Sequence, residues 1–542
     1  MTTVKVVRWV ALGVLAALVV FTIVAAAGSR TEPLRRLVVE TLTERLDSDV
    51  SLEAFSVDTF PTVVVSGQGL VIRHRTQEAS QPPLISIASF TVHCNVMDML
   101  RRPRRFRTVT LEGLVVNIPP GGLKIRRGGS DGPAAGRPAT ELTPPPAPSA
   151  ADQAAAREEN DGESPIIVDE LLANDAMLRI IPRRADKRPK EFAIRSLRMQ
   201  SLGLGQQMPF TASLTNPIPR GEIETSGTFG PWRKREPGST PVAGDYSFQN
   251  ADLGTIKGIG GILNSTGSFG GELNRIAVRG KTDTADFHID TAGHPMQLTT
   301  TFDAIVDGTD GDTYLNAVDA KLRNTGILAK GAVVGTKGVK GRTIKLDVEI
   351  KDGRIEDLLW LAVKGDEPLM VGRVGLKTDF LLPPGEPDVV ERLQLDGRFD
   401  VDAAKFTDDE IQKKLSGMSQ RAQGKGPDVR DQNVVSDLGG SFRLRNANLA
   451  LSNLSFSMPG ALVRLNGSYG LRSEAIDFAG TVRMDASVSE AAGKGGFKGM
   501  LLKMVDPIFR KQGAGAVIPI KVGGNRDKPE FGLDVGGIFK KK

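Results

Sequence analysis

Alternation of apolar and polar side chains over long stretches is the feature that most constrains the fold of this chain. Between residues 476 and 488, alternate positions are apolar or glycine, and the positions between them are mostly Asp, Thr, Arg and Ser. Segments 344–350, 393–401 and 463–469 alternate in the same way. Successive side chains of a β-strand point to opposite faces, so these segments predict strands with one apolar and one polar face.

Turn residues separate these segments at short intervals, for example Gly440, Asn446 and the Pro459-Gly460 pair. Glycine is abundant, with 61 of 542 residues, and helix signals between the strands are few. This pattern favours an antiparallel meander over a parallel α/β sheet. We therefore expect a mainly β protein: an N-terminal transmembrane helix, then a long curled antiparallel sheet (β-taco or groove) with a few short helices. The apolar face is either open to a ligand or closed as a core.

Residues 9–29 carry no charge and would form a helix of about 32 Å, enough to cross a bilayer. Lys5 and Arg8 precede this stretch, so the positive-inside rule places the N-terminus in the cytoplasm. The alternative is a cleaved signal peptide, because the small residues 25–27 resemble a cleavage site. Both interpretations export the rest of the chain.

Three further segments have helical periodicity. Residues 33–46 predict an amphipathic helix, and residues 407–422 predict another that begins with a Thr-Asp-Asp-Glu capping box. The apolar stripe of the second helix is Ile411, Leu415 and Met418. Residues 497–509 predict an amphipathic helix, interpreted either as a plug at the end of the sheet or as a docking helix. Its apolar stripe includes Phe497, Met500, Leu501, Met504, Val505, Ile508 and Phe509.

Residues 128–164 are rich in Pro, Ala and Gly without apolar periodicity, which predicts a disordered insertion between strands. The expected organisation is a cytoplasmic tail, a transmembrane helix, an N-terminal helix-and-β module, the insertion, a middle β region and a C-terminal β region with amphipathic helices. The corresponding ranges are 1–8, 9–29, 30–127, 128–164, 165–406 and 407–542.

The sequence contains no recognisable catalytic constellation, so we expect neither an enzyme, nor a cofactor, nor a metal site. His288 and His294 lie near aspartates, but they are better interpreted as polar residues of strands and turns. Cys94 is the single cysteine, which excludes an intramolecular disulfide. The net charge of +6 does not indicate nucleic-acid binding.

One basic cluster is dense, and it is either a solvated turn or a contact for anionic headgroups or an anionic envelope polymer. Its residues are Arg101, Arg102, Arg104, Arg105 and Arg107.

The two ends of the chain resemble AsmA-like bacterial envelope proteins, relatives of TamB. At the N-terminal end, the likeness lies in segments 52–72 (LEAFSVDTFPTVVVSGQGLVI), 83–92 (PLISIASFTV) and 109–118 (VTLEGLVVNI). At the C-terminal end, it lies in segments 448–467 (NLALSNLSFSMPGALVRLNG) and 518–524 (IPIKVGG).

This resemblance implies a single-pass inner-membrane protein with a periplasmic β-groove that carries phospholipids between the inner and outer membranes. Membrane lipids, the inner membrane and envelope proteins are then its expected partners. The alternative is a non-enzymatic structural or assembly factor for envelope proteins, with the apolar face closed as a core. The lipid-groove candidates are Phe442, Leu444, Val463, Leu465, Ile476, Phe478, Val482 and Met484.

Overall fold

The computed structural model describes most of the chain from residue 31 onward. The described residues are 31–46, 48–58, 62–74, 82–95, 97–98, 104–118, 166–181, 189–203, 205–233, 236–336, 339, 341–423, 435–485, 510–511, 514–526 and 528–533. Within these ranges no helix has the length and apolar character needed to cross a membrane. The predicted span at 9–29 and the predicted helix at 497–509 lie outside the described residues.

The protein is mainly β, as the alternation predicts, and its contacts divide it into two compact units. The first comprises residues 1–255, 263–282 and 302–314, and the second comprises residues 256–262, 283–301 and 315–542. Three strands are divided between the units: β14 (Arg275–Ile289), β15 (Met296–Val306) and β16 (Thr313–Leu322). A fourth, β13 (Ile262–Glu272), lies in the first unit except for its first residue.

The first unit begins with helix α1 (Thr31–Leu46), which confirms the helix predicted at 33–46. Its further strands are β1 (Ser48–Ser51), β2 (Ala54–Asp58), β3 (Val63–His74), β4 (Ile85–Cys94), β5 (Arg104–Glu112), β6 (Val115–Ile118), β7 (Ile166–Ile180), β8 (Lys190–Leu202), β9 (Met208–Pro217), β10 (Arg220–Phe229), β11 (Pro241–Asp252) and β13 (Ile262–Glu272).

Two pairings in this unit correct the prediction of a purely antiparallel sheet. Strands β5 and β6 both pair with β7 in parallel, so the sheet is mixed. Parallel neighbours need a long crossover connection, and residues 119–165 supply it. The Pro/Ala/Gly-rich segment therefore lies between two strands, as predicted, but between parallel ones. The periodicity of a single strand does not show whether its neighbour in the sheet is parallel or antiparallel.

The core of the first unit is a buried cluster beneath α1. Val38 and Leu42 of α1 are 4% and 1% exposed, and Phe106 of β5 is fully buried. They belong to one cluster with inward residues of β1, β3, β4, β5 and β7. Because α1 covers the apolar face of these strands, this module has the ordinary construction of a helix packed on a sheet.

The second unit contains three helices, α2 (Ile355–Ala362), α3 (Val389–Arg392) and α4 (Asp409–Ala422). Its further strands are β12 (Ile259–Gly260), β17 (Thr325–Gly335), β18 (Arg342–Arg354), β19 (Met370–Leu382), β20 (Gln394–Phe406), β21 (Ser436–Arg445), β22 (Asn448–Met458), β23 (Ala461–Gly470), β24 (Ile476–Met484), β25 (Arg510–Lys511), β26 (Ala514–Gly524) and β27 (Pro529–Leu533).

From β17 to β24, each strand of the second unit pairs antiparallel with the next, and β24 then pairs with β26 and β26 with β27. In such a meander the connections alternate between the two ends of the strands. Helices α2 and α4 follow β18 and β20, so both connections lie at one end, the helix end. The connections after β19, β21, β23 and β26 lie at the other, the turn end.

Helix α4 confirms the predicted helix but corrects its cap and its buried side. Asp408 Oδ1 accepts a hydrogen bond from the Ile411 backbone N–H at 2.8 Å, whereas the Thr407 hydroxyl donates to the Pro368 carbonyl. Ile411 is 38% exposed, while Gln412, Ser416 and Ser419 are buried. The predicted apolar stripe is therefore rotated away from the sheet at Ile411.

Two of the three buried polar side chains on α4 are satisfied by nearby backbone, whereas the Ser416 hydroxyl has no hydrogen-bond partner among the described residues. Gln412 Oε1 accepts from the Phe406 N–H at 3.2 Å, and the Ser419 hydroxyl donates to the Pro459 carbonyl at 2.7 Å. These bonds offset the desolvation of the polar side chains.

Candidate apolar binding face

The strand register places the lipid-groove candidates on one face of the second unit. Val463 lies opposite Phe456 on one side and Val482 on the other. Opposed residues of paired strands point to the same face, so each such pair extends the face by one strand. The further opposed pairs are Leu444 with Leu449, Phe442 with Leu451, Leu465 with Leu454, Ile476 with Tyr469, and Met484 with Ala461, and Phe478 lies opposite Gly467 and Val522.

The same face continues into strands that the list of candidates omits. Leu395 of β20 lies opposite Leu444 and also opposite Phe380 of β19, which in turn lies opposite Leu346 of β18. The alternation at 344–350 and 393–401 marks Leu346 and Leu395 as inward, and the strand register adds Phe380. The apolar face therefore runs without interruption from β18 to β26.

Glycines lie at several positions of this face where neighbouring backbones approach closely. A Cβ atom on Gly480 would overlap the Arg464 carbonyl, and one on Gly467 would overlap the Asp477 carbonyl. Gly397 is similarly placed against the Lys377 carbonyl. Only glycine fits such an approach, which accounts for much of the glycine content of these strands.

The helix end of the face is covered. Ile355 and Leu358 of α2 pack against a cluster of Ile350, Val374, Val401 and Ala404. Ala422 of α4 belongs to a second buried cluster, and Leu415 packs against it. The remaining buried members of the second cluster are Met458, Ala461, Val463, Val482 and Met484.

Away from the helices, large apolar side chains on the same face remain partly exposed. Ile476 and Phe478 are in this state, as is Tyr469 opposite Ile476, and Leu465 is partly exposed although it packs against the edge of the second cluster. Phe442 and Leu444, in contrast, are 7% and 3% exposed. The face is thus buried beneath α2 and α4 and at Phe442 and Leu444 of β21, and it is incompletely covered at β23 and β24.

Side chains and loops also meet at the turn end. Arg472, after β23, forms ion pairs with Asp388 and with Glu391 of α3, the second at 3.1 Å. Arg526, after β26 at the same end, lies 3.8 Å from Glu474, and it also donates to the Lys364 carbonyl in the helix-end connection between α2 and β19. These contacts join connections that are several strands apart in the pairing order.

The opposite face of the sheet is polar and carries cross-strand ion pairs. Lys377 Nζ lies 2.9 Å from Glu349 Oε1, and the hydrogen bond from this lysine lowers the pKa of Glu349. Arg443 approaches Asp396 at 2.8 Å in the same way. Exposed pairs of this kind contribute little stability, about 0–1 kcal/mol each. Their main consequence is that the outer face is well solvated and the two faces differ sharply.

The basic cluster lies in the first unit, at the start of β5. Arg105 and Arg107 are exposed on either side of the buried Phe106, and Arg105 lies 3.6 Å from Asp169 of β7. Arg104 is partly exposed, and Arg101 and Arg102 lie outside the described residues. The described arginines are therefore available at the surface, with part of the charge of Arg105 balanced by Asp169.

The histidines of the second unit have structural partners. His288 Nδ1 lies 2.9 Å from the Asp286 carbonyl, and His294 Nδ1 lies 2.8 Å from the Trp360 carbonyl. In the part of the chain that the structure describes, no group of His, Cys, Asp and Glu side chains could hold a metal ion.

Comparisons with known proteins leave the chain without an assigned relative. It matches no family model, no curated protein and no solved structure.

Proposed function

We propose that the chain binds lipids on the apolar face of β18–β26 and transfers phospholipids between the two membranes of a bacterial envelope. One observation carries this proposal: a continuous apolar face on which large side chains such as Leu465, Ile476 and Phe478 remain partly exposed. An acyl chain lying on these residues would bury its methylenes at about 0.8 kcal/mol each. Binding and transfer of a lipid need no catalytic residue.

The contact between Arg526 and Lys364 supports a curled sheet around this face. Strands β19 and β26 are several pairings apart, so a flat sheet would separate them by roughly 30 Å at about 4.8 Å per strand. Arg526 nevertheless reaches the Lys364 carbonyl in the connection before β19. Curling turns the apolar face inward and shields an acyl chain from water, while a phosphate headgroup stays at the rim.

In this proposal the chain is an AsmA-like protein held in the inner membrane by residues 9–29, with the described residues in the periplasm. The exposed Arg105 and Arg107 then contact anionic headgroups or an anionic envelope polymer. Envelope proteins are further partners. The experiment below tests lipid binding, on which the remaining parts of the proposal depend.

Photo-crosslinking in cells tests lipid binding with the full-length chain. The photoreactive amino acid p-benzoylphenylalanine replaces Phe478, which is on the apolar face, or Ala479, its exposed neighbour on the polar face. We expect lipid adducts, identified by mass spectrometry, at position 478 and none at position 479. Equal yields at the two positions, or no adduct at either, would contradict the proposal.

A charge on the face provides a second readout of the same binding. Leu465→Lys places an ammonium group on a partly exposed part of the face, so we expect the chain to fold and the crosslink yield at position 478 to fall. Val482 is unsuitable for this purpose because it is 5% exposed and a charge there would be buried in the cluster beneath α4.

The alternative, a structural or assembly factor, rests on the sheet edge. Within the described residues β27 pairs only with β26, which leaves its other side available for an added strand of a partner. In that case the apolar face is a core, Leu465→Lys unfolds the chain, and position 478 captures no lipid.

A further inference from the structure

A cleft beside α2 is separate from the apolar face. Helix α2 turns Ile355 and Leu358 towards that face, whereas Trp360 lines the cleft on another side of the helix. The cleft has a volume of about 540 Å³, which lies within the usual range for small-molecule sites. Its other walls come from Met296 and Gln297 of β15 and from the turn between β16 and β17.

The turn that enters the cleft is held rigidly. Arg323 has a left-handed backbone with φ of 49°, which is uncommon for a residue with a side chain. Its N–H donates to the Gln297 carbonyl at 2.9 Å, and the next N–H, of Asn324, donates to Asp357 Oδ2 at 3.1 Å. The Thr325 hydroxyl donates to the same oxygen at 2.9 Å. Arg323 therefore projects from a fixed backbone.

The lining of the cleft carries one charge, and it is positive. Arg323 is the cation, and none of the other lining residues is ionisable. Asp357, 1% exposed beneath the turn, has Oδ1 at 3.8 Å from Arg323 Nε, and its Oδ2 is occupied by Asn324 and Thr325. A guanidinium has five N–H donors in a planar fork. With its side chain 49% exposed, Arg323 retains donors for a ligand.

The indole wall is held in place by a second ring. His294 stacks on Trp360 with ring centroids 4.2 Å apart and an interplanar angle of 19°. His294 Nδ1 also lies 2.8 Å from the Trp360 carbonyl, so ring and backbone are fixed together. Met296, 3% exposed, adds a buried apolar surface. The cleft thus combines a cation with aromatic and apolar walls.

We propose that this cleft binds a small organic anion, with a phosphate or carboxylate on Arg323 and an aromatic or short apolar body against Trp360 and Met296. Two oxygens of a carboxylate or a phosphate can accept two parallel hydrogen bonds from a guanidinium, which orients the ligand in the site. The proposal is independent of lipid binding on the apolar face, because it depends on different residues.

Tryptophan fluorescence tests this proposal in the purified full-length chain. The variant Trp9→Phe/Trp232→Phe leaves Trp360 as the single tryptophan of the three in the sequence. The probe is phenyl phosphate, with inorganic phosphate and phenol as the two halves of the same molecule. We expect a saturable change in emission with phenyl phosphate, displacement by higher concentrations of inorganic phosphate, and much weaker binding of phenol.

Substitution of the cation gives the decisive comparison. In that background Arg323→Gln should weaken phenyl phosphate binding by about tenfold or more, while Arg323→Lys should retain part of it. Arg443→Gln is the matched control, because Arg443 is an exposed arginine of the same unit outside the cleft lining. Circular dichroism spectra and melting temperatures establish that each variant is folded.

The proposal is overturned if phenyl phosphate produces no saturable change, or if Arg323→Gln binds it as tightly as the parent chain. Equal affinity for phenol would remove the role of the anion, and equal affinity for inorganic phosphate would remove the role of the apolar body. Crosslinking at position 478 is expected to be unchanged in Arg323→Gln, so failure of this site and failure of the lipid proposal are distinguishable.

Discussion

At the scale of single residues, Cys94 shows how position determines chemistry. It ends β4 on the inward side, 3% exposed, with Sγ 3.5 Å from the Val63 carbonyl. Burial, and to a lesser extent the negative charge of Asp98, raise the pKa of the thiol to about 12. The thiolate is the reactive form, so the single cysteine of the chain is chemically inert while the first unit is folded.

We therefore expect Cys94 to react with iodoacetamide about a thousandfold more slowly in the native chain than after denaturation, at mildly alkaline pH. Quantitative mass spectrometry of the alkylated peptide measures the rate. Met97→Cys in a Cys94→Ala background is the control, because Met97 is 64% exposed on the connection after β4 and a thiol there should react promptly. Equal rates for the two positions in the native chain would contradict this account.

At the scale of elements, the glycines on the apolar face determine how closely β23 and β24 approach each other. Gly480→Val would press the branched side chain against the Arg464 carbonyl and the backbone of Leu465. Such overpacking typically destabilises by about 1–3 kcal/mol. We expect a lower melting temperature, measured by differential scanning calorimetry.

Gly326→Val is the matched control for that substitution. Gly326 lies in β17 of the same unit, and a Cβ there would meet no atom within 4 Å. A valine at this position should change the melting temperature little. Equal shifts for both substitutions would mean that the glycines matter for backbone entropy and not for close approach.

Much of the element-level structure follows from the sequence. The alternation correctly indicates the strands around 344–350, 393–401, 463–469 and 476–484 and the face of each lipid-groove candidate, because a period of two is a local property. The buried side of α4 does not follow in this way. Gln412 and Ser419 are buried because Phe406 and Pro459 offer backbone partners, and tertiary packing brings Pro459 to the helix.

At the scale of the whole molecule, the two units cover their apolar surfaces differently. In the first, α1 covers the apolar face of the strands from β1 to β7, whereas in the second α2 and α4 cover the helix end of the face and large side chains of β23 and β24 stay partly exposed. The cleft beside α2 was not predictable, because it joins β15, the β16–β17 turn and a helix far along the chain. Long-range juxtaposition of this kind leaves no periodic trace in the sequence.

The parallel pairing of β5 and β6 with β7 sets a minimum tether length. Ile118, at the end of β6, lies beside Ile180, at the end of β7, whereas β7 begins at Ile166. The connection must therefore run back along the whole of β7, a distance of roughly 46 Å, which needs about 14 extended residues. Deleting residues 138–155 leaves the connection between β6 and β7 well above this minimum length. We therefore expect Cys94 to stay protected from alkylation.

Deleting all of 128–164 leaves about ten residues, a reach of roughly 34 Å, so β7 should detach and Cys94 should become reactive. Protection in both deletions would contradict the parallel register. The Pro/Ala/Gly-rich stretch is therefore a tether: its composition is free to vary, and its length must only exceed this minimum.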